Sequence, residues 1–319
     1  MKRCIATIVA LLFGTLGAFA QQWPSKTVRI IVPFAAGATP DVVARLIADG
    51  LQKQTGQTVI VENKPGASGN TGTDAVAKAA PDGATIGVSI GGPLAINTLL
   101  FAHLPYDPKK DLSFITMLVT QPSALAVNAS LNVDSVPALL DLIGRNPGKY
   151  NFGSIGTGSL SHLAMEAIAL KRGTKLVHVP YASSPQAVTA LLRNEVQMVC
   201  LPAISITPQL NSGAIKLLAI TTAQRSALLP GVPTLKESGI DVEADAWMGL
   251  IAPAGIPEAM VERINHLVRE AITSPTVRQK LSAQLMEPIP DTPADFRARI
   301  DADIARWKPV IAAAKIKLE

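Results

Sequence analysis

Residues 28–41 read VRIIVPFAAGATPD. An apolar strand at 28–34 runs into a loop of small residues, and a helical pattern begins at Val42. Residues 150–172 repeat this order, with a short strand at 150–153, the loop SIGTGS at 154–159 and an apolar helix from Leu160. Strands and helices also alternate through the rest of the chain. This predicts an α/β fold in which mostly parallel sheets are flanked by helices.

Each of these two loops leads into a helix N-terminus, where the first backbone N–H groups have no partner inside the helix. With the positive end of the helix dipole, such groups form an anion site that needs no lysine or arginine. Small residues at 35–38, and Gly156 with Gly158, allow a ligand to approach the backbone closely. We therefore expect a cleft in which the two loops hold one small anion from both sides.

The bulk composition narrows the class of protein. The chain has 319 residues, enough for two domains, and only 4% are aromatic, so both cores must be mainly aliphatic. Without Lys2 and Arg3, 27 basic residues face 24 acidic ones, a net charge of +3. This charge is too small to indicate nucleic-acid binding, and it mildly favours anionic small molecules.

The N-terminus has the parts of a secretory signal: basic residues at 2–3, an apolar run at 5–17 and the sequence AFA at 18–20. We expect cleavage near Ala20 and a mature chain that begins at Gln21. The alternative is an uncleaved anchor, for which the apolar run is short. Removal of Cys4 leaves Cys200, expected to be a buried small hydrophobe without a disulfide partner.

The order of the elements indicates that the chain passes between two lobes twice, near 121–126 and near 221–225. We expect a signal peptide at 1–20, a first lobe formed by 21–124 and 223–319, and a second lobe formed by 125–222. Two crossings of this kind would form a hinge.

Both loops also have a simpler interpretation. Thr39 or Asp41 is expected to cap the first helix, with Pro40 in its first turn. Ser159 fits the N-cap of the second helix as well as it fits a role in anion binding. Residues 156–161 partly match a dinucleotide fingerprint, but Ser161 stands where the third glycine belongs. An oxyanion is therefore favoured over a nucleotide.

Patterns for catalysis and metal binding have little support. The histidines have no metal-ligand spacing, and His162, in a first helical turn, is more typical of packing or capping than of a base. Neither Ser154 nor Ser159 lies in a G-x-S-x-G elbow. We expect no enzyme, no metal and no cofactor. Acidic residues alternate, as on the solvated face of a strand, at Asp241, Glu243 and Asp245.

Several motifs occur in a fixed order: VPFAAG at 32–37, DVVAR at 41–45, VENKPGA at 61–67, PDG at 81–83, LPYDP at 104–108, HVPY at 178–181 and PGVPT at 230–234. This set resembles the substrate-binding proteins of the tripartite tricarboxylate transporter family, the Bug-type extracytoplasmic solute receptors. The resemblance covers the chain from about Trp23 onward. It implies a two-lobed periplasmic-binding-protein (Venus flytrap) fold that closes on its ligand.

The resemblance further implies a periplasmic monomer that passes a small organic acid to the membrane subunits of a transporter. The ligand carboxylate would be held by backbone N–H groups, hydroxyls and waters. Ser89 and Gly91 are included because they end a first-lobe strand facing the same cleft. The expected binding residues are Phe34, Ala35, Ala36, Gly37, Ala38, Thr39, Asp41, Ser89, Gly91, Ser154, Gly156, Thr157, Gly158, Ser159 and His162.

The sequence leaves the ligand class and two alternative functions open. Leu201 stands where the family commonly has an aspartate, which argues against an α-amino acid ligand. A sensing receptor of the same fold that signals to a sensor kinase is the first alternative function, and a secreted hydrolase or lyase is the second.

Gly158→Val is expected to weaken binding and, if the loop is exposed, to leave the fold intact.

Overall fold

The computed structural model describes residues 23–318, so the predicted signal peptide at 1–20 lies outside the described residues. Its strands and main helices in chain order are β1 (Val28–Val32), α1 (Thr39–Thr55), β2 (Val59–Asn63), α2 (Asn70–Ala77), β3 (Thr85–Ile90), α3 (Asn97–Leu100), α4 (Pro108–Asp111), β4 (Leu112–Gln121), β5 (Ser123–Asn128), α5 (Val136–Arg145), β6 (Asn151–Ser154), α6 (Leu160–Arg172), β7 (Val177–Pro180), α7 (Ser184–Leu192), β8 (Met198–Pro202), α8 (Ala203–Ile206), β9 (Ile215–Ile220), β10 (Ala246–Pro253), α9 (Glu258–Thr273), α10 (Pro275–Ser282), β11 (Glu287–Pro288) and α11 (Pro293–Ala314).

The strands form two sheets. The first has the order β11-β4-β10-β3-β1-β2, with β1 parallel to β2 and β3, and β10 antiparallel between β3 and β4. The second has the order β7-β6-β8-β5-β9, with β6 parallel to β7 and β8, and β5 antiparallel to β8 and β9. The structure confirms the expected α/β architecture, with mixed sheets because each contains a strand of opposite direction.

Each sheet has its own aliphatic core, as the composition predicts. In the first, α1 buries Val43, Ile47 and Leu51 at successive i+4 positions against β1, whose Ile30 and Val32 are fully buried. This packing fixes the direction of α1. It also directs the helix N-terminus and the preceding loop toward the carboxyl end of β1.

The last helix, α11, joins the two cores. Phe296 and Ile300, near its start, pack in a buried cluster on the first sheet. Trp307 and Val310, further along, pack in the cluster built on α6 and the second sheet. One continuous helix therefore contacts both halves of the molecule.

Residues 223–244 pack on the second sheet. Thr234 forms a bridge with Ile220, and Leu235, Ile240 and Val242 belong to the same buried cluster as α6. The expected lobe boundaries, including the one at 222, stay predictions.

A few local predictions need correction or gain support. The helix expected at 205–211 begins at Ala203 and continues as a 3₁₀ helix, Thr207–Ser212. The short α10 was not predicted.

Cys200 is fully buried as expected, and burial raises the pKa of its thiol to about 12. Within residues 23–318, no helix is both long and apolar enough to cross a membrane.

Candidate functional site

A cavity of about 490 Å³ lies where loops from both sheets meet. The first sheet contributes the loop after β1 and the end of β3, and the second sheet contributes the loop between β6 and α6. Eight of the expected binding residues line this cavity: Phe34, Ala38, Thr39, Gly91, Gly156, Thr157, Gly158 and Ser159.

The loop after β1 starts α1 without a side-chain cap. The N-cap residue is Ala38, in an extended conformation, and no side chain accepts a hydrogen bond there. The expected capping by Thr39 or Asp41 is therefore wrong, although Pro40 lies in the first turn as predicted. Among the described residues, the N–H of Thr39 has no acceptor, and Thr39 lines the cavity. This helix end is thus available to an anion.

Asp41 organises this loop and does not line the cavity. Its buried carboxylate accepts hydrogen bonds from the Gly37 N–H at 2.9 Å, from Arg45 Nη2 at 2.9 Å and from Asn63 Nδ2 at 2.9 Å. The Asn63 amide also donates to the Phe34 carbonyl at 3.0 Å. Burial acts to raise the pKa of Asp41, but these hydrogen bonds outweigh it and lower the pKa to about 2.

The loop before α6 is held by its own hydroxyls. Ser159 caps α6 by accepting a hydrogen bond from the His162 N–H at 3.3 Å, which confirms its capping role, and donates to the Gly156 carbonyl at 2.7 Å. Ser154 Oγ accepts from the Gly156 N–H at 3.1 Å, and Ser161 Oγ accepts from the Ile155 N–H at 3.0 Å. Most hydrogen-bond donors of this loop therefore bond within the loop and fix its conformation.

Four hydroxyls remain for a ligand. Thr39 and Thr157 come from the two predicted loops, and the sequence did not single out Ser68 or Ser123. All four line the cavity, and none has a side-chain hydrogen-bond partner among residues 23–318. Ser123 is only 4% exposed, so its hydroxyl depends on the cavity for a partner. Ser123 is marked by its place at the start of β5, and Ser68 by its positive φ of 56°.

Several expected binding residues do not line the cavity. Ala35, Ala36 and Gly37 are exposed beside it and do not line it. Ser89 is buried, and its hydroxyl lies 3.1 Å from that of Thr73. Ser154 is fully buried beneath the second loop.

His162 and His178 form a stacked pair behind the second loop. Their ring centroids lie 3.7 Å apart, and Nδ1 of His162 accepts a hydrogen bond from the Gly158 N–H at 3.1 Å. Nε2 of His178 lies 2.6 Å from Ser154 Oγ. His162, although among the expected binding residues, does not line the cavity; it packs and supports the backbone, the alternative that its place in the first helical turn indicated. Burial and the neighbouring His162 lower the pKa of His178 to about 4.

Acidification is expected to destabilise the protein through His178. Its pKa is about 4 in the folded protein against an ordinary value of 6.5, so between these values the unfolded chain binds more protons. The stabilisation is complete above about pH 6.5 and is lost as the pH falls toward 4. Thermal unfolding at pH 7 and pH 5 should show a smaller loss of Tm for His178→Phe than for the wild type; equal losses would contradict this role.

A charged cluster forms one wall of the cavity. Arg299 and Arg306, on α11, pair with Glu243, Asp245 and Asp303, and Trp247 Nε1 donates to Asp303 Oδ2 at 2.7 Å. The expectation that Glu243 and Asp245 lie on a solvated strand face is wrong, because they precede β10 and face α11. Burial raises the pKa of Asp303, although both arginines act against this.

The family follows from sequence comparison. Residues 43–316 match the model of the tripartite tricarboxylate transporter family receptor, TctC. The chain belongs to this family. Its members are solute-binding receptors and not enzymes, and the resemblance seen in the ordered motifs is confirmed. The protein BugT of Bordetella pertussis is 34% identical to this TctC-family chain, with 100% of this chain and 99% of BugT covered.

Solved structures agree on the two-lobed fold of this TctC-family receptor. Rpa4515 of R. palustris with adipate is 33% identical with a TM-score of 0.79, and the match covers 92% of this chain and 99% of that one. MatC of Rhodopseudomonas palustris with bound malate is 30% identical with a TM-score of 0.74, covering 91% and 100% respectively. The expected periplasmic-binding-protein fold is thus confirmed.

Proposed function

We propose that this receptor captures a small organic carboxylate between its two lobes in the periplasm and delivers it, as a monomer, to the membrane subunits of a tripartite tricarboxylate-type transporter. One observation carries the proposal: the uncapped N-terminus of α1 and the loop before α6 line one cavity from opposite sheets. Helix N-termini favour anions. The bound adipate and malate of two similar receptors support a carboxylate as the ligand class.

In this proposal, hydroxyls and backbone N–H groups both donate hydrogen bonds to the ligand carboxylate. The Thr39 N–H and the hydroxyls of Thr39 and Thr157 lie on the two loops and reach the cavity without a protein partner among the described residues. A carboxylate accepts up to about four hydrogen bonds. Donors from both loops would therefore be satisfied best when the lobes close on the same group.

The proposal is tested by thermal unfolding of the chain beginning at Gln21, after unfolding and refolding to remove any co-purified ligand. Carboxylic acids are compared with their matched amides. An acid present at about 100 times its Kd stabilises the folded state by about 2.7 kcal/mol, which raises Tm by roughly 5 °C. The amide should give no shift. Equal shifts with an acid and its amide, or no shift with any acid, would overturn the proposal.

A further inference from the structure

The cavity contains cationic side chains, but each already has anionic partners. Of the residues that line it, Arg299 and Arg306 are the two that carry positive charge. Arg299 Nη2 lies 2.6 Å from Asp245 Oδ1 and its Nη1 lies 3.3 Å from Glu243 Oε1. Arg306 Nη1 lies 2.6 Å from Asp303 Oδ1 and its Nη2 lies 3.2 Å from the same Glu243 oxygen.

This cluster carries an excess of negative charge. Three carboxylates, those of Glu243, Asp245 and Asp303, face two guanidinium groups. Asp245 and Asp303 have side chains only 7% and 4% exposed, so solvent screens their charge poorly. A further carboxylate brought to this wall would have to be desolvated without a free cation to receive it, which is unfavourable.

The rest of the cavity wall is predominantly apolar. Phe34, Ile90, Trp247, Met248, Trp307 and Leu318 line it, and two of the chain's three tryptophans are among them. Burial of an apolar ligand surface against such a wall is favourable in proportion to the area removed from water. A volume of about 490 Å³ accommodates a larger body than a four-carbon acid requires.

We infer that this receptor selects a monocarboxylate with an apolar body, aliphatic or aromatic, and discriminates against a second carboxylate at the far end of the ligand. This inference rests on the proposed function, because it assumes that the two loops hold the first carboxylate. The discriminating element is the charged cluster formed by α11 and the segment before β10. Asp245, Asp303, Arg299 and Arg306 line the cavity, and Glu243 contacts both arginines without lining it.

Hexanoate and adipate provide the matched test, since they differ in the far carboxylate alone. Isothermal titration of the refolded protein at pH 7.5 is carried out with hexanoate, adipate, 4-phenylbutyrate and hexanamide. At least one of the two monocarboxylates is expected to bind ten times more tightly than adipate, and hexanamide is expected not to bind. Adipate binding as tightly as both monocarboxylates, or more tightly, would overturn the inference and leave the proposed function intact.

The other outcomes separate the two claims. Hexanamide binding as tightly as hexanoate would instead overturn the proposed function, because the carboxylate would then not be the recognised group. Absence of binding by all four compounds would overturn the inference, and the wider acid screen would then decide the proposed function by itself.

A variant tests the role of the charged wall. Glu243→Gln leaves two carboxylates against two guanidinium groups and preserves the side-chain shape. The ratio of adipate to hexanoate affinity is expected to rise about tenfold. Glu262→Gln, an exposed substitution on α9, removes the same charge away from the cavity and should leave the ratio unchanged. An unchanged ratio in Glu243→Gln, with Tm showing that the variant is folded, would overturn the role assigned to this wall.

Discussion

Asp41→Ala is expected to weaken carboxylate binding by roughly 30-fold, which corresponds to about 2 kcal/mol of binding free energy. The side chain does not line the cavity, so the loss arises through the loop that it organises. Without the carboxylate, the Gly37 N–H loses its acceptor, and Arg45 and Asn63 lose their common partner. The Phe34 to Thr39 segment then samples more conformations, and ordering it costs free energy when the ligand binds.

Asp49→Ala is the matched control for this experiment. Asp49 lies two turns further along α1, is exposed and forms no side-chain hydrogen bond among those described. Affinity of the two variants for an acid identified in the thermal screen is measured by titration calorimetry. Asp41→Asn should recover part of the loss, because an amide oxygen still accepts from Gly37. Equal affinity of Asp41→Ala and wild type would show that the first loop is ordered without this carboxylate.

The parts of the molecule that the sequence predicts well are those that short-range patterns encode. β1 and α1 are recognisable because a short apolar run changes to a spacing of four across a loop of small residues. The capping of α6 by Ser159 follows from adjacent residues in the same way. Strand direction is not encoded locally, so the insertion of β10 between β3 and β4 had no counterpart in the pattern.

The parts that the sequence misses depend on distant partners. Asp41 does not cap α1, because Arg45 and Asn63 compete for its carboxylate, and Asn63 lies 22 residues away in the chain. Glu243 and Asp245 look like a solvated face until α11 brings Arg299 against them, 54 residues after Asp245. The cavity wall that carries the charged cluster is therefore a product of the fold, and so is the way Asn63 holds the first anion loop. The strand–loop–helix order of the two anion loops is a product of local sequence.

Gly158→Val is expected to destabilise the folded protein by about 3 kcal/mol. The sequence predicts an intact fold only if this loop is exposed, and Gly158 is buried. Gly158 is buried and has a φ of +76°, a conformation that costs other residues roughly 1–2 kcal/mol. A Cβ there would lie 2.6 Å from Leu100 Cδ1 and 3.2 Å from Leu318 Cδ1, so overpacking adds about 1–3 kcal/mol. At roughly 2–4 °C per kcal/mol, Tm should fall by about 6–12 °C.

Alanine substitutions separate two causes of the lost stability, the positive φ of the backbone and the steric contact of the new side chain. Gly156→Ala also places a side chain at positive φ, but no heavy atom lies within 4 Å of its Cβ, so a smaller loss of Tm than in Gly158→Ala is expected. Combining Gly158→Ala with Leu100→Ala removes the closest contact, and the double variant should lose less stability than the sum of the single variants. Additive losses would place the strain in the backbone alone. A measured coupling would instead show that the second anion loop is positioned by packing against Leu100 of α3. This residue follows β3 in the chain but belongs to the buried cluster on the second sheet, so the shape of the loop depends on a residue distant in sequence.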